Sequence, residues 1–215
     1  MISTQSVKIT VSSTHTVSGE LTVPPNGQYI LTLAHGAGAG MNHVFMTRLS
    51  EALANEGIAT LRYNFPYMEA KKKRPDVPAV AHAAVHAAIN KARELCPELG
   101  VIAGGKSFGG RMTSQYAAKN KPDLKAIVFF GFPLHPIGNP STERADHLKD
   151  VKVPMLFLQG TKDELAEEDL IKDVCSHLPL ATLHFFQKAN HAFKAGKQDL
   201  IPELARQTAE WLRTI

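Results

Sequence analysis

From residue 29 onward, short apolar and β-branched runs alternate with longer segments whose apolar positions recur at helical spacing. That alternation is the tightest constraint the chain places on its own fold. A strand followed by a helix returns to a parallel neighbour, and repeating the unit builds a sheet with helices on both faces. The runs read "YILTLAH" (29–35), "IATLRYN" (58–64), "GVIAGG" (100–105), "KAIVFFG" (125–131), "PMLFLQG" (154–160) and "ATLHFFQ" (181–187). Several are apolar almost throughout, as strands buried on both faces require. Between them the spacing predicts helices over 43–57, capped by Gly57, over 77–96, stopped at Pro97, over 110–120, and near 167–177. A last amphipathic helix begins near Asp199, with Pro202 in its first turn and Trp211 on its apolar face. Ahead of the alternation, "SVKITV" (6–11) and "TVSGELTV" (16–23) read as an antiparallel pair. The expectation is one α/β domain over residues 1–215, since no composition shift marks a second.

The stretch "GGKSFGG" (104–110) admits two incompatible chemistries. Extended back to Gly100 it fits G-x-x-x-x-G-K-[ST], which makes Lys106 a phosphate ligand and Ser107 a metal ligand. Read from Gly105 it fits G-x-S-x-G, which makes Ser107 a nucleophile. A phosphate loop needs its strand to end before the first glycine. Here the residues before Gly100 are a helix exit, "ARELCPEL", and the strand "VIA" falls inside the supposed loop. No apolar strand ends in the acid that would hold magnesium. The serine reading fits its context instead. Strand "VIAGG" runs into Ser107 and the helical "GRMTSQYAA" leaves it. A nucleophile elbow leaves room only for tiny side chains two positions either side of the serine, where Gly105 and Gly109 stand.

A serine hydroxyl needs a general base, and the base needs an orienting carboxylate. After "MLFLQG" comes "TKDE", which offers Asp163. After the strand over 182–187 comes "KANHAF", which offers His191. Glu164, beside Asp163, is the competing acid. Two backbone donors are also needed for the developing oxyanion. One is the amide of Phe108, at the helix start. The other is assigned to Ala37 in "HGAGAG" (35–40), whose glycines let the backbone approach a substrate. The same glycines mimic a dinucleotide fingerprint. Met41 stands where its third glycine belongs, however, and the next strand ends "RYNF" without a ribose-binding acid.

Together, "HGAGAG", "GGKSFGGR", "GTKD" and "NHAF" resemble the motifs of a small, lidless α/β-hydrolase of the dienelactone-hydrolase-related group. The resemblance covers nearly the whole chain. It implies an eight-stranded sheet, a triad of Ser107, Asp163 and His191, and hydrolysis of esters, thioesters or related acyl bonds without a cofactor. Dienelactone hydrolase itself uses a cysteine nucleophile. Serine at position 107 therefore argues against dienelactone as the substrate. Some relatives of the "GGKSFGGR" subgroup act as scaffolds, so the rival reading is a non-catalytic binding or scaffold protein.

The remaining expectations concern the surroundings of the site. His35, Asn42, His43, Phe65, Tyr67 and Phe132 are candidate pocket residues because they follow strands at the same sheet edge; Asn42 and His43 equally suit a helix cap. Residues 131–152 occupy the place of a lid but have room only for a loop and one short helix, which implies an open pocket for a small acyl substrate. His82 and His86 are four apart on a helix but lack a third ligand. With Asn90 and Arg93 they read as a solvated stripe, and no metal is expected. Arg111, in the first turn of the helix after Ser107, implies a carboxylate partner. Net charge is +4. The one concentrated run, Lys71 to Arg74, reads as a solvated loop, and no aromatic residues interleave it as nucleic-acid binding would require. Beside an open site, that run would favour anionic esters at low salt. Cys96 and Cys175 form no disulfide framework. No apolar run reaches membrane-spanning length and no signal segment is visible, so the expected setting is the cytoplasm, without nucleic-acid or membrane partners. Oligomeric state stays open.

Overall fold

The computed structural model describes residues Met1–Ile215. Its centre is an eight-stranded sheet ordered β1-β2-β4-β3-β5-β6-β7-β8. β1 (Ser3–Thr10) and β2 (Thr16–Val23) form the expected antiparallel hairpin, which starts at Ser3 rather than Ser6. β2 runs antiparallel to β4 (Ile58–Tyr63). From β4 onward every neighbour is parallel: β3 (Tyr29–Ala34), β5 (Gly100–Lys106), β6 (Ala126–Phe130), β7 (Met155–Gly160) and β8 (Ala181–Phe186).

The apolar runs are divided between two layers by the two-residue period of a strand. In β6, Ala126, Val128 and Phe130 face one layer, while Ile127 and Phe129 face the other. The first layer is closed by α1 (Val44–Asn55) and α6 (Ile201–Leu212), through Met46, Leu49, Leu53, Leu204 and Leu212. The second is closed by α3 (Pro78–Leu95), α4 (Phe108–Asn120) and α5 (Glu168–Ser176). Trp211 is buried on α6 and its indole N–H donates to Thr182 Oγ1 at 3.0 Å. No helix is long and apolar enough to cross a membrane.

Parallel strands place all their C-terminal ends on one edge, where the connecting loops meet. Two details sharpen that edge. Helix α4 starts at Phe108 rather than Gly110, because Ser107 takes the N-cap position directly after β5. Residues 131–152 form a loop and a 3-10 helix (Glu143–Asp150) lying against α4. The short α2 (Pro66–Glu69) follows β4. Buried Arg62 of β4 pairs with Glu20 directly across the ladder and donates to the Met41 carbonyl at 2.6 Å. That bond anchors the chain immediately past "HGAGAG".

Candidate active site

Ser107 sits at φ +50°, ψ −115°, a conformation L residues avoid and one that the surrounding structure must enforce. The glycines around it explain how. A Cβ at Gly105 would lie 2.3 Å from the Ala34 carbonyl oxygen, and one at Gly109 would lie 2.6 Å from the carbonyl oxygens of Ala34 and His35. Gly104 is equally closed, with the Val128 carbonyl oxygen 2.1 Å from its Cβ position. Strand β5 and helix α4 therefore pack against β3 and β6 at a separation only glycine permits. The turn between them lifts the serine hydroxyl onto the edge of the sheet.

Asp163 and His191 come from the loops after β7 and β8, and the structure brings both to Ser107. His191 Nε2 lies 2.8 Å from Ser107 Oγ. His191 Nδ1 lies 2.9 and 2.8 Å from the two Asp163 carboxylate oxygens. The Asp163 side chain is fully buried, whereas that of His191 keeps 15% of its surface exposed. The carboxylate is held in place by two further donors, Gln159 Nε2 at 2.5 Å and the Leu165 amide at 2.9 Å. Gln159 is itself oriented by the Phe132 amide, which donates to its Oε1 at 2.9 Å. A buried carboxylate acting only as acceptor fixes the proton on Nδ1 and leaves Nε2 free to accept from the serine. Glu164 is exposed and makes only a 3.5 Å contact, from the His191 backbone amide.

The Phe108 amide is the first of α4 and has no intrahelical acceptor, so it is available at the helix N-terminus beside Ser107. Ala37 lies in the exposed turn after β3 and lines the same cavity as Ser107. Its loop is braced from below. Tyr67 donates its hydroxyl proton to the Ala37 carbonyl at 2.9 Å, with the Gly36 carbonyl at 3.3 Å. His35 donates from Nδ1 to Gly36 O at 2.8 Å and accepts at Nε2 from the Phe65 amide at 3.0 Å. Burial pushes the His35 imidazole down to about 4, so it is a neutral staple.

These contacts correct the expected pocket. His35, Phe65, Tyr67 and Phe132 are buried beneath the site and do not line it. All four lie just past strand ends, where their rings pack inward on one another and on Phe108 and Phe129. Asn42 is exposed outside the cavity. His43 alone fits both of its readings: it lines the cavity, and its Nδ1 accepts from the Phe45 amide at 3.2 Å as the cap of α1. The cavity, about 920 Å³, has Ser107 and His191 in its wall. Its other sides are the start of α1, with Val44 and Phe45, and a small hairpin of β9 (Lys194–Ala195) and β10 (Gln198–Asp199) running into Leu200 and Ile201. Residues 131–152 contribute nothing to that wall. The hairpin went unread in the sequence; Gly196 at φ +61° is the one signal that marks its turn.

Two further expectations change. His82 is half-buried against Tyr116 rather than solvated, and burial lowers its pKa. Arg111 has no carboxylate partner, and burial together with the neighbouring Arg144 lowers its pKa. Lys71 to Arg74 are exposed, as the solvated-loop reading expects, and lie outside the cavity wall, away from the open site. No group of three or more His, Cys, Asp or Glu side chains is placed to hold a metal ion.

The model of the alpha/beta hydrolase domain family matches residues 27–211. Among solved structures, the chain is similar to a dienelactone hydrolase from Anabaena variabilis, with 21% identity and a TM-score of 0.80 over 99% of this chain and 98% of that one. It is similar to an esterase from Pyrococcus furiosus, with 16% identity and a TM-score of 0.78 over 99% and 91% of the two chains. A serine hydrolase without a lid, from Xanthomonas campestris, is 20% identical with a TM-score of 0.76 over 97% and 94%. At these identities the likeness is one of fold.

Proposed function

This chain belongs to the alpha/beta hydrolase domain family, and from that premise we propose that it is a serine hydrolase cleaving an ester, thioester or related acyl bond of a small substrate, with residues 1–215 acting as one catalytic domain. The observation that carries the proposal is the unbroken relay from Asp163 through both nitrogens of His191 to Ser107, at 2.8 Å on either side of the imidazole. It opens onto a cavity large enough for a small acyl group and its leaving group. Esterases and a dienelactone hydrolase among the structural relatives support the same reaction class.

In this mechanism Ser107 Oγ attacks the carbonyl carbon while His191 Nε2 takes its proton. Asp163 holds Nδ1–H and stabilises the imidazolium, without itself becoming protonated. Negative charge on the carbonyl oxygen is met by the amides of Phe108 and Ala37, at a helix N-terminus whose dipole favours it. The imidazolium then protonates the leaving group. Water attacks the acyl-enzyme by the same route and releases the acid. No step needs a cofactor.

A fluorophosphonate probe tests this directly. We expect stoichiometric modification at Ser107, competed by short-chain esters or thioesters and lost in Ser107→Ala. A folded wild-type protein that takes up no label would instead be a binding or scaffold protein.

A further inference from the structure

Lys106, the residue before Ser107, has no part in the relay, yet its side chain is directed into it. Nζ donates to the backbone carbonyl of His191 at 2.7 Å and lies 5.5 Å from the centroid of the Phe193 ring. Its stem passes Gly36, where a Cβ would come within 3.7 Å of Lys106 Cγ. The ammonium and the imidazole share one wall. A Cβ at Gly131 would lie 3.1 Å from Lys106 Nζ and 3.5 Å from His191 Nδ1. The loop that Lys106 holds contains Phe193 at φ +56°; Asn190 Oδ1 also braces it, accepting from the Ala192 and Lys194 amides at 3.0 Å, and the buried Phe193 ring packs on Phe45 and Phe186. One side chain thus grips the carbonyl of the histidine and the ring two residues on.

We propose that Lys106 is a positioning residue: its charged ammonium clamps the loop at 190–193 and keeps His191 Nε2 at Ser107 Oγ. The proposal rests on reading Ser107, His191 and Asp163 as the working triad. A charged donor makes the stronger bond to a carbonyl, so the clamp weakens when the proton leaves. The groups facing Nζ are few. Asp163 and Glu164, from the loop after β7, favour the charge; His191 shares the wall; β3 and β6 bring only the backbone of Gly36 and Gly131. Burial outweighs the two carboxylates and brings the ammonium down to about 8. The clamp is therefore charged at neutral pH and weakens at alkaline pH.

The test is the pH profile of kcat for a short-chain aryl ester, read beside fluorophosphonate labelling and thermal stability. In the wild type, kcat should fall with an apparent pKa near 8, while KM stays level. Lys106→Met should lower neutral-pH kcat by about 10-fold or more through misplacement of the base. It should leave KM within about 2-fold and the melting temperature no lower, because a desolvated charge has been removed, and it should erase the alkaline fall. Lys106→Arg, which keeps its charge to about pH 12, should move that fall beyond the accessible range. A labelled, active wild type with level kcat from pH 7.5 to pH 10 would overturn the proposal even if Lys106→Met does not fold, and so would Lys106→Met with wild-type kcat. A wild type that takes no label at Ser107 fails the triad itself, and the proposal falls with it.

Discussion

Ser107 and Ser114 stand two turns apart at the start of α4, and each has a histidine Nε2 at its oxygen: His191 at 2.8 Å and His147 at 2.7 Å. Distance does not separate the two pairs; the partner on the far side of the imidazole does. At Ser107, Asp163 holds the Nδ1 proton and Nε2 accepts. At Ser114, the hydroxyl has a second acceptor within reach, the Arg111 carbonyl at 3.1 Å, and nothing fixes the tautomer of His147. His147 has no carboxylate within hydrogen-bond reach. Burial and the adjacent Arg111 push its pKa down to about 4 despite Asp146 and Asp150 nearby, which leaves it a weak base. The backbone differs as well, since Ser107 is held at positive φ whereas Ser114 is an ordinary helical residue buried in the α4 packing. An acid, a strained turn and an open cavity accompany only the Ser107–His191 contact.

The sharpest way to break this comparison is to delete each serine in turn. Ser107→Ala should cut ester turnover by about 10⁵-fold or more, while Ser114→Ala, outside the cavity wall, should change it by less than about 3-fold. Comparable losses at the two positions would erase the distinction. Next in size is the acid. Asp163→Asn should put the imidazole in the wrong tautomer and cost roughly 10⁴ in kcat with little change in stability. Glu164→Gln should cost almost nothing, and the reverse pattern would move the acid one residue along the loop.

A subtler effect separates the histidines by pH. His35 and His147 both have folded pKa values near 4, below the ordinary 6.5. Between those values the unfolded chain binds the protons first, so stability rises with pH and is lost on acidification. His147→Gln should remove one of the protons that His35, His82 and His147 contribute and flatten the slope of unfolding free energy against pH between about 5 and 6.5. That range lies above the point where the depressed carboxylates of Glu69 and Glu203 begin to titrate. An unchanged slope would mean His147 is not held neutral. The smallest effect concerns the charge run. Changing Lys71, Lys72 and Lys73 together to Ser should leave the ratio of anionic to neutral ester turnover unaltered at low and high salt, because these side chains are solvated and outside the cavity wall. A salt-dependent loss of the anionic preference would restore them to the site.

Much of this was legible in the chain. The elbow could be read because its demand falls on backbone: Gly105 and Gly109 stand where any Cβ would meet a carbonyl oxygen. Asp163 and His191 could be read because parallel strands put their following loops on one edge, so chain order after β7 and β8 predicts proximity. The pocket could not be read by the same logic. His35, Phe65, Tyr67 and Phe132 also follow strands at that edge, but each turns inward. There His35 and Tyr67 brace the loop at Gly36 and Ala37, and the backbone amide of Phe132 holds Gln159. Gln159 was hidden inside an apolar strand, where only the position of its amide beside Asp163 gives it meaning.

By itself, the sequence determined the α/β alternation, the glycine-walled turn around Ser107 and the order of serine, acid and histidine. These depend on local sterics and on strand periodicity, which act over a few residues and are written in consecutive positions. The tertiary structure alone decided which of two serines meets a histidine held by a carboxylate, that Lys106 reaches a carbonyl 85 positions away, and that a short polar hairpin rather than the 131–152 loop walls the cavity. Each of these depends on which side of the sheet edge a side chain leaves and on what comes to meet it from a distant loop. That geometry is settled by packing of the whole chain, not by spacing along it.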